Sequence, residues 1–315
     1  MSEIDLRSIF FPNLLERVEG VREKGTRFVH YTSADVGISI IKTGEIWMRN
    51  SSCMNDYSEM SFGINCVTKF FNSAEANPMW TVLNRIQEGL SDEIKNLFDG
   101  WSQDVRRHTY LTCLSEHMDA EDGIGRLSMW RAYGKNGGVA LVLNQEAMMS
   151  ETDILKAYTY PVHYYNDEEI TEFFIEVVSG IQQHLSGLSS RSVEGIKGTV
   201  FYMLQTYCIC LKHPGFAEEK EWRVVYRPNQ VESDVIKKSV ETVNGVPQRI
   251  YKIPLEDVPQ EGSTGRGIDG LLNKIIIGPT EHPFAVADAY VEALTEAGVN
   301  NPEARVVISE IPLRT

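Results

Sequence analysis

The chain predicts an α+β fold, a mixed and largely antiparallel β-sheet core with flanking helices and helical insertions. Three observations predict it: short β-rich segments recur from one end of the chain to the other, stretches of helical period lie between them, and no Pro-, Gly- or Ser-rich linker divides the 315 residues. That length allows one large domain or two modest ones. The reading here is an N-terminal helix over 1–24 and one α+β domain over 25–315, with helical insertions near 76–108 and 167–212.

Taken in order, residues 1–24 read as a helix with Pro12 near its start and Leu14, Leu15 and Val18 at helical spacing. "TRFVHYTS" alternates as a strand, Ser33 caps a helix that Gly44 ends, and "EIWMRN" is a second strand. "SSCMNDYSEMSFG" then leaves that strand in a loop and enters a helix running to about Phe71. Asn55 and Asp56 suit the free N–H groups of such a turn. Residues 78–101 are helical in pattern, followed by the strand "TYLTCLS", the short helix "RLSMWRAYG" and the strand "GGVALVLN". "GKNGG" (134–138) follows a helix and precedes a strand, the reverse of a phosphate-cradling loop, so a tight turn is expected. An extended segment over 154–165 leads to helices near 167–187 and 191–212. The strands "KEWRVVYRP", "QRIYKIPL" and "LNKIIIGP" come next, then a helix ending near Gly298 and the strand "ARVVISEIPLR".

Composition narrows the function classes. Hydrophobic residues at 42% and charged residues at 23% are ordinary globular values. The acidic opening "MSEID" is not the start of a signal peptide, and no apolar run reaches the ~20 residues of a membrane helix. No membrane partner is expected. The cysteines Cys53, Cys66, Cys113, Cys208 and Cys210 are odd in number and lack CxxC spacing, which points to a reducing cytoplasm and to no bound metal. A net charge of −14 disfavours nucleic acid, although a local basic cleft around Arg126, Arg131 and Lys135 stays open. No GxSxG, HExxH or Walker A motif occurs.

Four polar spots remain: His30, the Asn55/Asp56/Glu59 triplet, Ser115, and the acidic strand end "FAEEKEWRVV". If 219–226 is a strand, its period of two sets Glu219, Glu221 and Arg223 on one face and Trp222, Val224 and Tyr226 on the other. Such a face is either solvated, internally paired, or aimed into a polar cleft. Trp130 and Tyr133, three apart on a helix, share a face that suits a core or a stacked ligand.

The ordered segments "MNDYSE", "LTCLSE", "MWRAYGKNGGVALVLN", "FAEEKEWRVVY" and "KIIIGP" resemble the bacterial domain-of-unknown-function family 2971, over roughly residues 27–310. That family has no assigned activity, but the resemblance gives weight to Asn55, Asp56, Glu59, Ser115, Glu221 and Arg223. "FVHYTSADVGISIIKTGEIWM" is also similar to the opening of ADP-ribosyltransferase-like folds. That second resemblance implies an NAD-using transferase or glycohydrolase, with His30 on the ribose and Tyr31, Trp130 or Tyr133 near nicotinamide. It implies Glu221 as the catalytic carboxylate, with Glu219 as second choice, and a setting in phage defence or a toxin system. The small-molecule partner would be a nucleotide. Two other readings stay open: a non-enzymatic ligand-binding or interaction module, and a hydrolase in which Asp56, Glu59 and a strand carboxylate hold Mg²⁺.

Overall fold

A computed structural model of the chain describes residues 5–54, 57–102, 105–134, 137–149 and 153–312, without the side chains of residues 57–59. The fold is α+β. Among the described residues the strands are β1 (Arg27–Ser33), β2 (Glu45–Asn50), β3 (Tyr110–His117), β4 (Gly138–Leu143), β5 (Ala157–Pro161), β6 (Glu221–Tyr226), β7 (Lys237–Val243), β8 (Val246–Pro254), β9 (Leu272–Ile277) and β10 (Val306–Ile308). The helices are α1 (Leu6–Phe10), α2 (Pro12–Lys24), α3 (Ala34–Thr43), α4 (Tyr57–Phe71), α5 (Asn77–Ile86), α6 (Leu90–Ser102), α7 (Val105–His108), α8 (Leu127–Tyr133), α9 (Gln145–Met148), α10 (Asp167–Gln183), α11 (Leu185–Ser189), α12 (Val193–Cys210), α13 (Ile268–Leu271) and α14 (Pro283–Glu296). None is long and apolar enough to cross a membrane.

Two compact units divide the chain. The helical unit comprises Met1–Glu19, Ser51–His108 and Pro161–Ala217. Its core is aromatic: Phe70 stacks on Phe174 at 4.2 Å, and Phe173 packs on Tyr207 at 4.1 Å. Helix α4 crosses α12 at Gly63, where an added Cβ would lie 2.0 Å from the Cys208 carbonyl oxygen. Only backbone can approach so closely, so Gly63→Ala is expected to destabilise the protein by about 1–3 kcal/mol through overpacking, measured as a lower urea midpoint with unchanged slope.

Two helices in this unit are broken where continuous ones were expected. The helix read over 1–24 is two, because Phe11 precedes a proline, which disfavours helical geometry, and adopts φ −137°. Pro12 therefore begins the second helix. The helical pattern over 78–101 likewise parts at Gln87, which is extended at φ −151°, ψ 136°.

The sheet unit comprises Gly20–Asn50, Thr109–Tyr160 and Glu218–Thr315. Its main path runs β10-β9-β4-β1-β3-β2-β8-β7, with β6 pairing β3 and β5 pairing β6. Every named pairing whose register is resolved is antiparallel except β9 with β10, whose crossover through α14 makes them parallel. Ser33 and Gly44 bound α3 where expected, Gly44 in the left-handed conformation with φ 62°, but the Ser33 side chain makes no capping hydrogen bond. Strand β7 was not legible as one: "KKSVETV" is largely exposed and lies at the edge of the sheet.

The pairing of β3 shapes the site. Residues 110–115 pair with β6 along one edge. Along the other, residues 115–117 pair with β1 and residues 110–111 with β2. Strands β1 and β2 therefore fork from one edge of β3.

Candidate functional site

Strand β6 is buried along its whole length, so its polar residues must find partners inside. Glu221 faces Ser115 across the ladder and Arg223 faces Cys113. Two residues apart on one face, they pair with each other. Arg223 donates from Nε to Glu221 Oε1 at 2.8 Å and from Nη2 to Oε2 at 3.3 Å. Their side chains are only 2% and 6% exposed, which makes this an internal ion pair and not a solvated face. The alternation expected for Glu219 fails. It ends a 3-10 helix over Pro214–Glu219, and Lys220, left-handed at φ 44°, separates it from the strand. Only Glu221 and Arg223 share the face.

Register extends this face to β1. Val29 lies opposite Ser115, so Tyr31, two residues on, points the same way as Glu221. His30 points the opposite way, to the face where Phe28 meets the edge of Trp222 at 5.3 Å. Half-buried, His30 lies with Nδ1 2.9 Å from the Cys113 carbonyl oxygen. A carbonyl can only accept, so Nδ1 carries the proton; the ring occupies the fork where β3 lacks a neighbouring strand. Burial pushes the His30 pKa down, with the Cys113 hydrogen bond opposing, so the ring is neutral.

The aromatic candidates are largely spent on packing. Tyr31 and Trp130 meet edge to face at 4.9 Å in a cluster with Val29, Met129, Ala140, Val142 and Ile276. The Trp130 Nε1–H donates to the Ile124 carbonyl at 2.9 Å. Gly278 leaves room for the ring, since a Cβ there would lie 2.8 Å from it. The Tyr31 hydroxyl accepts from the Arg126 N–H at 2.8 Å, and burial raises its pKa to about 12. Tyr133 packs at the margin of the cluster, half-buried. Asn55, Asp56 and the Glu59 side chain lie outside the described residues, as does Lys135.

Sequence reasoning missed the clamp beside this face. Arg126, 7% exposed, donates from Nε to Glu121 Oε1 at 3.0 Å and from Nη2 to the Glu116 carbonyl at 2.9 Å. From Nη1 it reaches the carbonyls of Glu218 and Glu219 at 3.0 and 3.1 Å. This guanidinium faces inward and does not build a basic cleft. The signal in the sequence was the acid-rich turn "EHMDAEDGIGR", whose acids needed cations close by. Among the described residues, no group of three His, Cys, Asp or Glu side chains could hold a metal ion.

Residues 129–224 match a family described as Protein of unknown function (DUF2971). The matched span holds Trp130, Tyr133, Glu219, Glu221 and Arg223 but not His30, Tyr31 or Ser115, and it is narrower than the resemblance drawn over 27–310. No curated protein and no solved structure matches the chain.

Proposed function

We propose that the protein acts on NAD by ADP-ribosyltransferase-like chemistry, with Glu221 as the carboxylate that stabilises the transition state. The supporting observation is that Glu221 is held by Arg223 opposite Ser115, on a strand reached from β1 through β3. Cleaving the nicotinamide–ribose bond sends its electron pair to nicotinamide and leaves positive charge on the ribose, whose carbon then bonds to water or to the oxygen or nitrogen of an acceptor, which gives up its proton to solvent. A fixed carboxylate stabilises that charge without reorganising. Arg223 bonds both oxygens of Glu221, which fixes the plane of the carboxylate. In this reading Arg223 orients Glu221, Ser115 lines the same face, and Tyr133 is the aromatic candidate that the core does not fully enclose. His30 starts on the opposite face, so it anchors the fork and is not assigned to the ribose.

A non-enzymatic ligand-binding or interaction module is the second reading. It is favoured by the closed Tyr31–Trp130 cluster and by the mutual pairing of Glu221 and Arg223.

The test is a thermal-shift titration of the wild type and Glu221→Gln with NAD, alongside ATP and Mg²⁺, followed by an assay of nicotinamide release. A ligand present at 100 times its Kd stabilises the folded state by about 2.7 kcal/mol, enough for a clear rise in Tm. The wild type is expected to respond to NAD and release nicotinamide, and the variant to keep the NAD response and lose release. Because the variant leaves Arg223 without its carboxylate, the comparison is of the ligand-induced shift and not of absolute Tm. No response to NAD overturns the reading and leaves the binding module; a response to Mg²⁺ alone points to the hydrolase.

A further inference from the structure

The end of β3 holds a charged cluster that the proposed site does not use. His117 is buried, with Nε2 2.9 Å from Asp122 Oδ1. An ionised carboxylate only accepts, so Nε2 carries the proton and Nδ1 is a bare acceptor. That Nδ1 has no hydrogen-bond partner, and the nearest carboxylate oxygen paired with it, Glu121 Oε2, is 3.7 Å away. A buried acceptor facing another acceptor is unfavourable, and one added proton turns the contact into an attraction.

Glu121 is already committed. Both its oxygens accept from Arg126, the guanidinium that also holds the carbonyls of Glu116, Glu218 and Glu219. Those carbonyls join the end of β3 to the turn that leads into β6, and the Glu116 N–H donates to the Lys220 carbonyl at 3.0 Å beside them. Glu221 is the next residue.

We propose that His117, Glu121 and Arg126 form a proton-responsive latch on the start of β6. With His117 neutral, Glu121 belongs to Arg126 and the turn is held. When Nδ1 takes a proton from solvent, its N–H donates to Glu121, the carboxylate is drawn from Arg126, and the guanidinium's grip on the 218–219 carbonyls loosens. The other charged groups around His117 set where this happens. Asp122 favours the imidazolium but is shared with Arg27 at 2.8 Å and with Lys274. Arg27 lies opposite His117 on β1 and opposes protonation, while Asp119 accepts from that same Arg27 at 2.6 Å. Glu116, the preceding residue, is turned to the other face, where it accepts from Trp222 Nε1 at 2.9 Å. Burial works against charge at Asp122, but hydrogen bonds from Lys274, His117 and Arg27 outweigh it and hold that carboxyl at about 2. Burial lowers the His117 pKa, against its Asp122 and Glu121 contacts, so the latch opens below the usual histidine range near 6.5.

The bearing of the latch on turnover rests on the role proposed for Glu221; the latch itself does not. Hydrogen exchange of the full chain at pH 7.5 and 5.0, corrected for intrinsic rates, separates the two. Wild-type amides over 115–117 and 218–223 are expected to lose protection at pH 5.0 on the order of tenfold, while β4 and β9 keep theirs. His117→Gln retains a donor for Asp122 but gains no proton, and should remove that pH response. Glu121→Gln should be poorly protected at both pH values, and it decides the matter if the first variant does not fold. An equal pH response in His117→Gln, or a full wild-type response in Glu121→Gln, overturns the latch. A wild type that does not turn over NAD yet shows the exchange pattern overturns the Glu221 role alone.

Discussion

Trp130→Ala is expected to lower the unfolding free energy by about 3–5 kcal/mol, the range for removing a buried aromatic side chain. The ring is 2% exposed, meets Tyr31 edge to face at 4.9 Å and donates its N–H to Ile124. Removing it opens a cavity against a glycine, Gly278, that has no side chain to fill it. Denaturant unfolding measures the loss directly, as a lower midpoint at constant slope. The same variant separates core from ligand stacking. A ring that stacked on nicotinamide would lose the NAD-induced thermal shift with little change in midpoint. The edge-to-face packing predicts the reverse.

Arg223→Met is expected to cost about 3–5 kcal/mol, because it removes the cation paired with Glu221 in an interior where that carboxylate's side chain is 6% exposed. Breaking a buried pair is costly even where the pair itself adds little over apolar residues, since the remaining charge has lost its compensation. The double variant with Glu221→Gln carries neither charge and should therefore be less harmed than Arg223→Met alone. A double-mutant cycle in denaturant gives the coupling. Strict additivity would mean that the bidentate contact between Arg223 and Glu221 is energetically idle, and would weaken the case that Arg223 orients the carboxylate.

Much of the sheet was legible because local signals agreed with it. Ser33 and Gly44 flank α3, and the alternation of "RFVHYTS" is enough to set His30 and Tyr31 on opposite faces of β1. Edge strand β7 was missed because "KKSVETV" is exposed and reads as polar; the Asn244-Gly245 turn into β8 was its best signal. Glu219 was misplaced by one local conformation, the left-handed Lys220, which nothing in "EEKE" announces. For Trp130 and Tyr133, helical spacing gave the shared face but not what covers it. The acid-rich turn hinted at a cation but not at the Arg126 clamp's other partners, since the clamp joins β3, the 119–121 turn and the start of β6, segments that come together only in the fold.

The fork at β3 has a kinetic consequence. Its second edge is completed only by β6; Glu116 and Trp222, which bond across it, are 106 residues apart in sequence. Until residue 226 has been synthesised, β3 presents an open row of N–H and C=O groups, and pairings of such long range make for slow folding. Refolding of this sheet should therefore be limited by the late arrival of β6, and a chain truncated before it would present a sticky, strand-accepting edge.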